Sequence, residues 1–274
     1  MNINKGFSAA RRWARSTVWA AVFLLTATLF ATPGQTAQLA DTIEQLTPSV
    51  VGVGTYQPSR APRVDFRGTG FILEDGRAVL TNRHVLPSEL DRERRERLIV
   101  LAGEPGAPSM REAEVVAESP QHDLAVLRIS GTPLPALTLA SDSGQLRIGD
   151  PVAYTGFPIG MILGFYPATH TGIVSARTPL ALPVRHGGEL SPEQITRLRQ
   201  ATAPLAFQID GTAYPGNSGS PVYDPATGEV YAVINRVFAQ EGREAAMRQP
   251  SGISYAIPLD LAAPLLQEYR NRYR

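Results

Sequence analysis

Apolar positions in this sequence come in short runs, broken every few residues by Gly, Pro, Asp or Ser, and stretches with apolar residues at helical spacing are few. That rhythm predicts strands rather than helices. A first set falls at 49–55, 68–74, 78–81, 98–102, 112–117 and 124–129, separated by turn-forming segments such as Asp75-Gly76, 103–108 and 131–135. A second set falls at 151–155, 170–176, 204–209, 221–223, 230–237 and 252–257. The 131–149 stretch, rich in Pro, Ser and Gly, is the natural connection between them. The expected architecture is all-β: two barrels, one at about 48–135 and the other at about 148–258.

Three segments depart from the strand rhythm. Residues 41–46 read as a short helical turn. Ser191-Pro-Glu-Gln194 pairs a capping Ser with Pro at the first helical position and Gln at the capping-box position, which predicts a short helix over 191–200 inside the second half. Residues 259–270 carry apolar positions at helical spacing, with Pro264 early enough to be tolerated in the first turn, and predict a terminal helix packing back on the body.

The beginning of the chain has a different character. Lys5, Arg11, Arg12 and Arg15 precede an apolar run from Val18 to Ala31, and small residues including Ala37 follow. This is the order of a secretory signal peptide, and the run is shorter than the roughly 20 residues of a spanning helix. Residues 1–37 are therefore expected to be a signal peptide, leaving 38–274 as an exported domain, periplasmic or secreted, without stable membrane insertion. Removing the leader takes four of the 26 basic residues and none of the 25 acidic ones, so the net charge moves from +1 to about −3. A nearly neutral domain argues against nucleic acid as a partner, because phosphate binding needs a clustered basic face. The one local basic cluster, 92–97, is interleaved with Glu93 and Glu96 and reads as a solvated segment.

Composition then narrows the chemistry. The chain has no cysteine, which excludes disulfides, thiol nucleophiles and thiolate metal sites. Lys5 is the sole lysine, so no lysine-dependent mechanism survives loss of the leader. Neither a metal-ligand spacing nor a phosphate loop stands out, and no cofactor is expected. What remains is Pro215-Gly-Asn-Ser-Gly-Ser-Pro221, a serine between glycines that allow the backbone to approach a substrate closely and aim N–H groups at a developing oxyanion. A bland glycine-serine turn is the competing reading. A serine nucleophile needs a base, and four histidines are available: His84 directly after an apolar strand, His122, His170 and His186. A buried carboxylate should orient that base. Asp123 enters the apolar run 124–129 from its end, and the resulting chain order His84, Asp123, Ser218 is that of chymotrypsin-like enzymes.

These residues carry a family resemblance. Thr81-Asn-Arg-His-Val85, His122-Asp-Leu-Ala-Val-Leu127 and Gly216-Asn-Ser-Gly-Ser-Pro221 resemble the motifs of trypsin-like proteases of the HtrA/DegP type. Gly149-Asp-Pro-Val-Ala153, Gly156-Phe-Pro-Ile-Gly160, Thr171-Gly-Ile-Val-Ser175 and Gly252-Ile-Ser-Tyr-Ala-Ile-Pro258 extend the similarity over roughly 44–262. The resemblance implies two six-stranded antiparallel barrels of chymotrypsin type with the active site between them. It implies His84 as general base, Asp123 as its orienting carboxylate and Ser218 as nucleophile, with the N–H groups of Gly216 and Ser218 forming an oxyanion hole. Asn at 217, as in HtrA-like enzymes, makes activation by a freed N-terminus an unlikely route. Too little chain follows Pro258 for the PDZ domain that such proteases usually carry.

Thr212, Ala213 and Tyr214 before the nucleophile, with Ile234, Asn235 and Arg236 after it, are expected to line the primary pocket. Small residues on one wall suit a medium apolar side chain, whereas Arg236 would attract an acidic one. The expected partners are polypeptide substrates. Homo-oligomer formation is left open, with Tyr56 and Phe66 as candidate contact aromatics. The resulting expectation is an exported serine endopeptidase in protein quality control or processing. The alternative is a chaperone-like or scaffold protein that binds unfolded chains through the same cleft.

Overall fold

The computed structural model describes residues 35–159, 164–180, 204–235 and 252–273. Residues 1–34 of the leader expected at 1–37, the helix expected at 191–200, His186 and Arg236 lie outside the described residues. Residues from Leu39 onward form one compact body.

Helix α1 runs over Gln35–Leu46 and enters β1 through a one-turn 3-10 segment, Thr47–Ser49. Six strands follow: β1 Val50–Tyr56, β2 Val64–Leu73, β3 Ala78–Asn82, β4 Arg97–Ala102, β5 Ser109–Ser119 and β6 Leu124–Ile129. They close in the order β1-β2-β3-β6-β5-β4. The second barrel comprises β7 Pro151–Gly156, β8 Ala168–Pro179, β9 Leu205–Asp210, β10 Pro221–Tyr223, β11 Val230–Ile234 and β12 Ile253–Pro258, closed in the order β10-β11-β12-β9-β8-β7. Every strand pair within the barrels is antiparallel. This is the two-barrel architecture of the chymotrypsin type. Helix α2, Ala263–Tyr273, follows a 3-10 turn at Leu259–Ala262, and Pro264 sits in its first turn, where no intrahelical N–H bond is forfeited.

The alternation of side chains explains why the first-barrel strands are apolar on both faces. Val51, Val53, Ile72, Val79, Val100, Ala125 and Leu127 fill the barrel interior. Their alternates, among them Phe71, Leu80, Ile99, Leu124 and Val126, join Tyr223, Val233 and Ile257 of the second barrel and Leu265, Leu266 and Tyr269 of α2 in one shared core. A period-2 pattern is thus overwritten by burial on both sides. The second barrel has its own interior of Val152, Tyr154, Val174, Phe207, Ile209, Val222, Ala232 and Ile234.

Two devices tie the barrels together. The linker bonds first to one and then to the other: Leu137 N–H donates to Ile72 C=O, and Ala140 N–H donates to Val230 C=O, both at 2.9 Å. Helix α2 leaves the second barrel and anchors on the first. The Tyr269 hydroxyl donates to Asp75 at 2.8 Å, and Arg270 pairs with Glu74 at 2.6 Å. Burial works to raise the Asp75 pKa, but hydrogen bonds from Tyr269, the Arg77 N–H and Arg128 outweigh it and hold the carboxyl below its ordinary range.

Candidate active site

His84 sits in a 3-10 turn, Arg83–Val85, that directly continues β3, so the end of a core strand fixes its backbone. Asp123 precedes β6, the strand paired with β3, and the register sets Asn82 opposite Leu124. The two side chains therefore meet at one corner of the first barrel, His84 Nδ1 lying 2.6 Å from Asp123 Oδ2. The other carboxylate oxygen, Oδ1, accepts the His84 backbone N–H at 2.9 Å. The Asp123 carbonyl accepts from the Arg83 N–H and from Asn82 Nδ2, both at 3.1 Å. Asp123 has φ 53°, a left-handed conformation uncommon outside glycine, although Asp tolerates it better than most residues. Four hydrogen bonds to one residue over-determine it. A carboxylate accepting at Nδ1 holds the imidazole in the tautomer that leaves Nε2 free to accept a proton.

Ser218 lies in the loop between β9 and β10 and is part-exposed, whereas its neighbours Asn217 and Gly219 are buried. Its carbonyl is 3.0 Å from the point where a Cβ on Gly68 would stand, and that same point is 2.7 Å from Val85. The serine loop is thereby seated against the turn that carries His84. Gly216 and Gly219 have φ of 103° and 91°. At Gly219 an added Cβ would fall 1.9 Å from the Thr69 carbonyl oxygen, so neither the conformation nor the space admits a side chain.

From Pro215 to Ser220 most backbone groups of this loop are bonded. The Pro215 carbonyl accepts from Ile159 N–H at 2.6 Å, and that of Gly216 accepts from the Thr69 hydroxyl at 2.7 Å. The Asn217 carbonyl accepts from Ser220 N–H at 2.9 Å, and that of Ser218 accepts from Thr69 N–H at 2.8 Å. Among donors, Asn217 N–H reaches Tyr214 C=O at 3.0 Å, and Gly219 N–H reaches Ile234 C=O at 2.8 Å. Between Pro215 and Ser220, the N–H groups of Gly216 and Ser218 alone find no acceptor among the described residues. Two unengaged donors flanking Asn217, in a segment whose other N–H groups are bonded, are the arrangement an oxyanion requires.

The expected pocket segments are placed unevenly. Thr212 C=O accepts the Tyr154 hydroxyl at 2.7 Å, and burial pushes the Tyr154 pKa up to about 12. Ala213 N–H donates to Ser254 Oγ at 2.9 Å, and Ser254 Oγ donates to Gly211 C=O at 2.6 Å, so the segment before the nucleophile is rigidly backed. Tyr214 packs its ring 5.8 Å from His170. Ala213 and Ile234 bury their side chains in the second-barrel core and can shape a pocket only through their backbones. Asn235 is nearly buried, its N–H donating to Tyr255 C=O at 2.8 Å. Of the other histidines, His122 contacts Ser119 at 3.3 Å, and His170 stacks on Tyr154. No group of three potential metal ligands occurs among the described residues.

Sequence reasoning passed over Thr69 and Ile159. Thr69 stands in Gly68-Thr-Gly70, a polar residue between glycines directly ahead of the apolar run Phe71-Ile-Leu73, and that placement was the available signal. Ile159 gave none, because its φ of 59° is a property only the folded backbone reveals.

Two closed barrels with a His-Asp corner on one and a glycine-bounded serine loop on the other define the trypsin-like peptidase class. The chain matches the family model of the trypsin-like peptidase domain over residues 68–233 and belongs to that family. It is 31% identical over 212 residues to a probable periplasmic serine endoprotease, DegP-like, of Pseudomonas putida (strain W619), covering 75% of this chain and 36% of that protein. A protein of the same description from Pseudomonas fluorescens is 32% identical over 215 residues, covering 76% and 37%. The chain thus spans little more than a third of the length of these curated relatives. Among solved structures, the HtrA-type protease AlgW with a tripeptide superposes with a TM-score of 0.59 at 27% identity, covering 84% of this chain and 62% of that one. The serine endoprotease from Yersinia pestis gives a TM-score of 0.56 at 25% identity, covering 84% and 65%.

Proposed function

We propose that this protein is an exported serine endopeptidase that hydrolyses peptide bonds of polypeptide substrates through an acyl-enzyme on Ser218. The observation that carries the reading is the pairing of an oriented His84 with a serine turn, 215–220, in which the N–H groups of Gly216 and Ser218 are left unengaged while those of Asn217, Gly219 and Ser220 are bonded. In the proposed reaction His84 Nε2 takes the Ser218 hydroxyl proton as Oγ attacks the scissile carbonyl. Asp123 stabilises the imidazolium, and the two N–H groups bind the oxyanion. The imidazolium then protonates the leaving amine, and a water activated by the same histidine hydrolyses the ester. The original serine proton leaves on the amine and a proton from water, carried by His84, restores the Ser218 hydroxyl, so the cycle consumes only water.

Export is supported by the basic-then-apolar order of the first residues and by the relatives' description as probable periplasmic serine endoproteases, and the role proposed for the exported enzyme is protein quality control or processing. The test is reaction with a fluorophosphonate probe. Wild type should label, while Ser218→Ala should not and His84→Ala should label only very slowly. Absence of labelling in folded wild type overturns the reading. N-terminal sequencing of the protein recovered from an extracytoplasmic fraction tests export, and an intact Met1 there counts against cleavage.

A further inference from the structure

We propose that Thr69, in the first barrel, is the positioning residue that sets the oxyanion-binding N–H groups of the second barrel; the proposal rests on the reading of Ser218 as nucleophile. Thr69 is fully buried and every one of its polar groups is engaged. Its N–H donates to Ser218 C=O at 2.8 Å, and its hydroxyl donates to Gly216 C=O at 2.7 Å. The hydroxyl oxygen also accepts the Phe157 N–H at 3.1 Å, and its carbonyl accepts the Thr81 hydroxyl at 2.6 Å.

The consequence follows from peptide planarity. The carbonyl of Gly216 lies in the plane of the 216–217 peptide, and that of Ser218 in the plane of 218–219. Between these two planes stands the 217–218 peptide, which carries the Ser218 N–H. On the other side of Gly216 stands the 215–216 peptide, which carries the Gly216 N–H and is held at its carbonyl by Ile159. One residue of β2 thus clamps the planes that flank the Ser218 donor, and one of those planes also abuts the Gly216 donor. Rotation of either donor-bearing plane would have to break a bond to Thr69 or shift a neighbour held by it. The close approach of Gly219 to the Thr69 carbonyl leaves the loop no alternative seat. The clamp reaches from the barrel that supplies His84 and Asp123 to the barrel that supplies Ser218, so it also fixes the two halves of the site in register.

The hydroxyl separates this role from mere packing. Thr69→Val keeps the shape and the N–H and removes the hydroxyl's bonds to Gly216 C=O and from Phe157 N–H, whereas Thr69→Ser keeps both and loses only a methyl. Labelling by the fluorophosphonate probe and kcat on unfolded casein are expected to fall roughly 10–100-fold in Thr69→Val, less than complete loss of an oxyanion donor. KM and the pH profile should stay near wild type, and Thr69→Ser should recover activity to within a few-fold. Hydrogen exchange of the Asn217 and Gly219 amides should accelerate in Thr69→Val and not in Thr69→Ser, with strands β3 and β6 unchanged. Should Thr69→Val not fold, Thr69→Ala gives the same readouts. Labelling within two-fold of wild type, unchanged exchange in the loop, or loosening spread through the whole first barrel would each overturn the proposal. If wild type itself failed to label, the functional reading would fall, and the exchange comparison alone would decide whether Thr69 clamps the loop.

Discussion

The two halves of the site are held in opposite ways. At the His84 corner, side chains do the holding: the Asp123 carboxylate spans a ring nitrogen and a backbone N–H, and Asn82 reinforces its carbonyl. At the serine loop the backbone does the holding, since the carbonyls of Gly216 and Ser218 are bonded to Thr69 of the first barrel and the Gly219 N–H and Ser220 carbonyl to Ile234 of the second. The side chains there are less well served. Asn217 and Ser220 have buried polar atoms with no hydrogen-bond partner among the described residues. The corner should therefore be sensitive to the chemistry of its side chains, and the loop to the addition of any side-chain atom at a glycine.

Substitutions that remove reacting groups test that contrast most severely. Ser218→Ala and His84→Ala are each expected to lower kcat by about 10⁶, and the double variant should lose no more than either single one, because residues acting as a unit are not additive. Asp123→Asn should cost about 10⁴ in kcat by favouring the wrong tautomer of His84, with the fold preserved. Circular dichroism and thermal melting should separate this loss from unfolding. Equal losses for Asp123→Asn and Ser218→Ala would show that the corner is not merely orienting the base.

The loop is probed by Gly219→Ala, which leaves every catalytic side chain in place. The Cβ meets the Thr69 carbonyl and φ is positive, so the loop must move. The expected cost is about 10²–10³ in kcat, the range for losing an oxyanion donor. The proton shared by His84 and Asp123 should keep its NMR position, since that pair lies in the other barrel. A shift of that resonance would mean that the contacts of Thr69 and Thr81 with the loop transmit its displacement to the His84 corner.

Strand rhythm and turn residues made the two barrels readable because each strand is short and bounded by residues that end it. The extents were less accessible. Strand β2 begins at Val64 rather than 68, and β5 spans Ser109–Ser119, since ladder bonding to β1, β4 and β6 carries polar residues into strands. Helix α1 starts at Gln35 instead of Asp41, and a window starting at 41 cuts off Leu39, which packs partly buried on the same stripe as buried Thr42 and Leu46. At the candidate site, the meeting of His84 with Asp123 follows from their places at the ends of paired strands. The clamp at Thr69 was not readable, because it joins residues 147 positions apart through one hydroxyl. Sequence proximity carries no trace of such a contact.

The smallest expected effect concerns His170, which stacks on Tyr154 at 5.3 Å and lies next to Tyr214, just ahead of the serine loop. Its Nε2 is buried without a hydrogen-bond partner among the described residues, and burial pushes its pKa below the ordinary value near 6.5. The unfolded chain therefore binds this proton more readily than the folded one. Stability contributed by keeping the ring neutral is fully present above the unfolded pKa and is lost as pH falls below it. Thermal midpoints should decline from pH 7.5 to 5.5 in wild type and decline less in His170→Phe, which preserves an aromatic ring between the tyrosines. The remaining histidines are common to both proteins, so their titration cancels in the difference. Parallel pH profiles would mean that the ring is protonated without penalty, and that the segment ahead of Ser218 is as tolerant of charge as the solvent-facing surface.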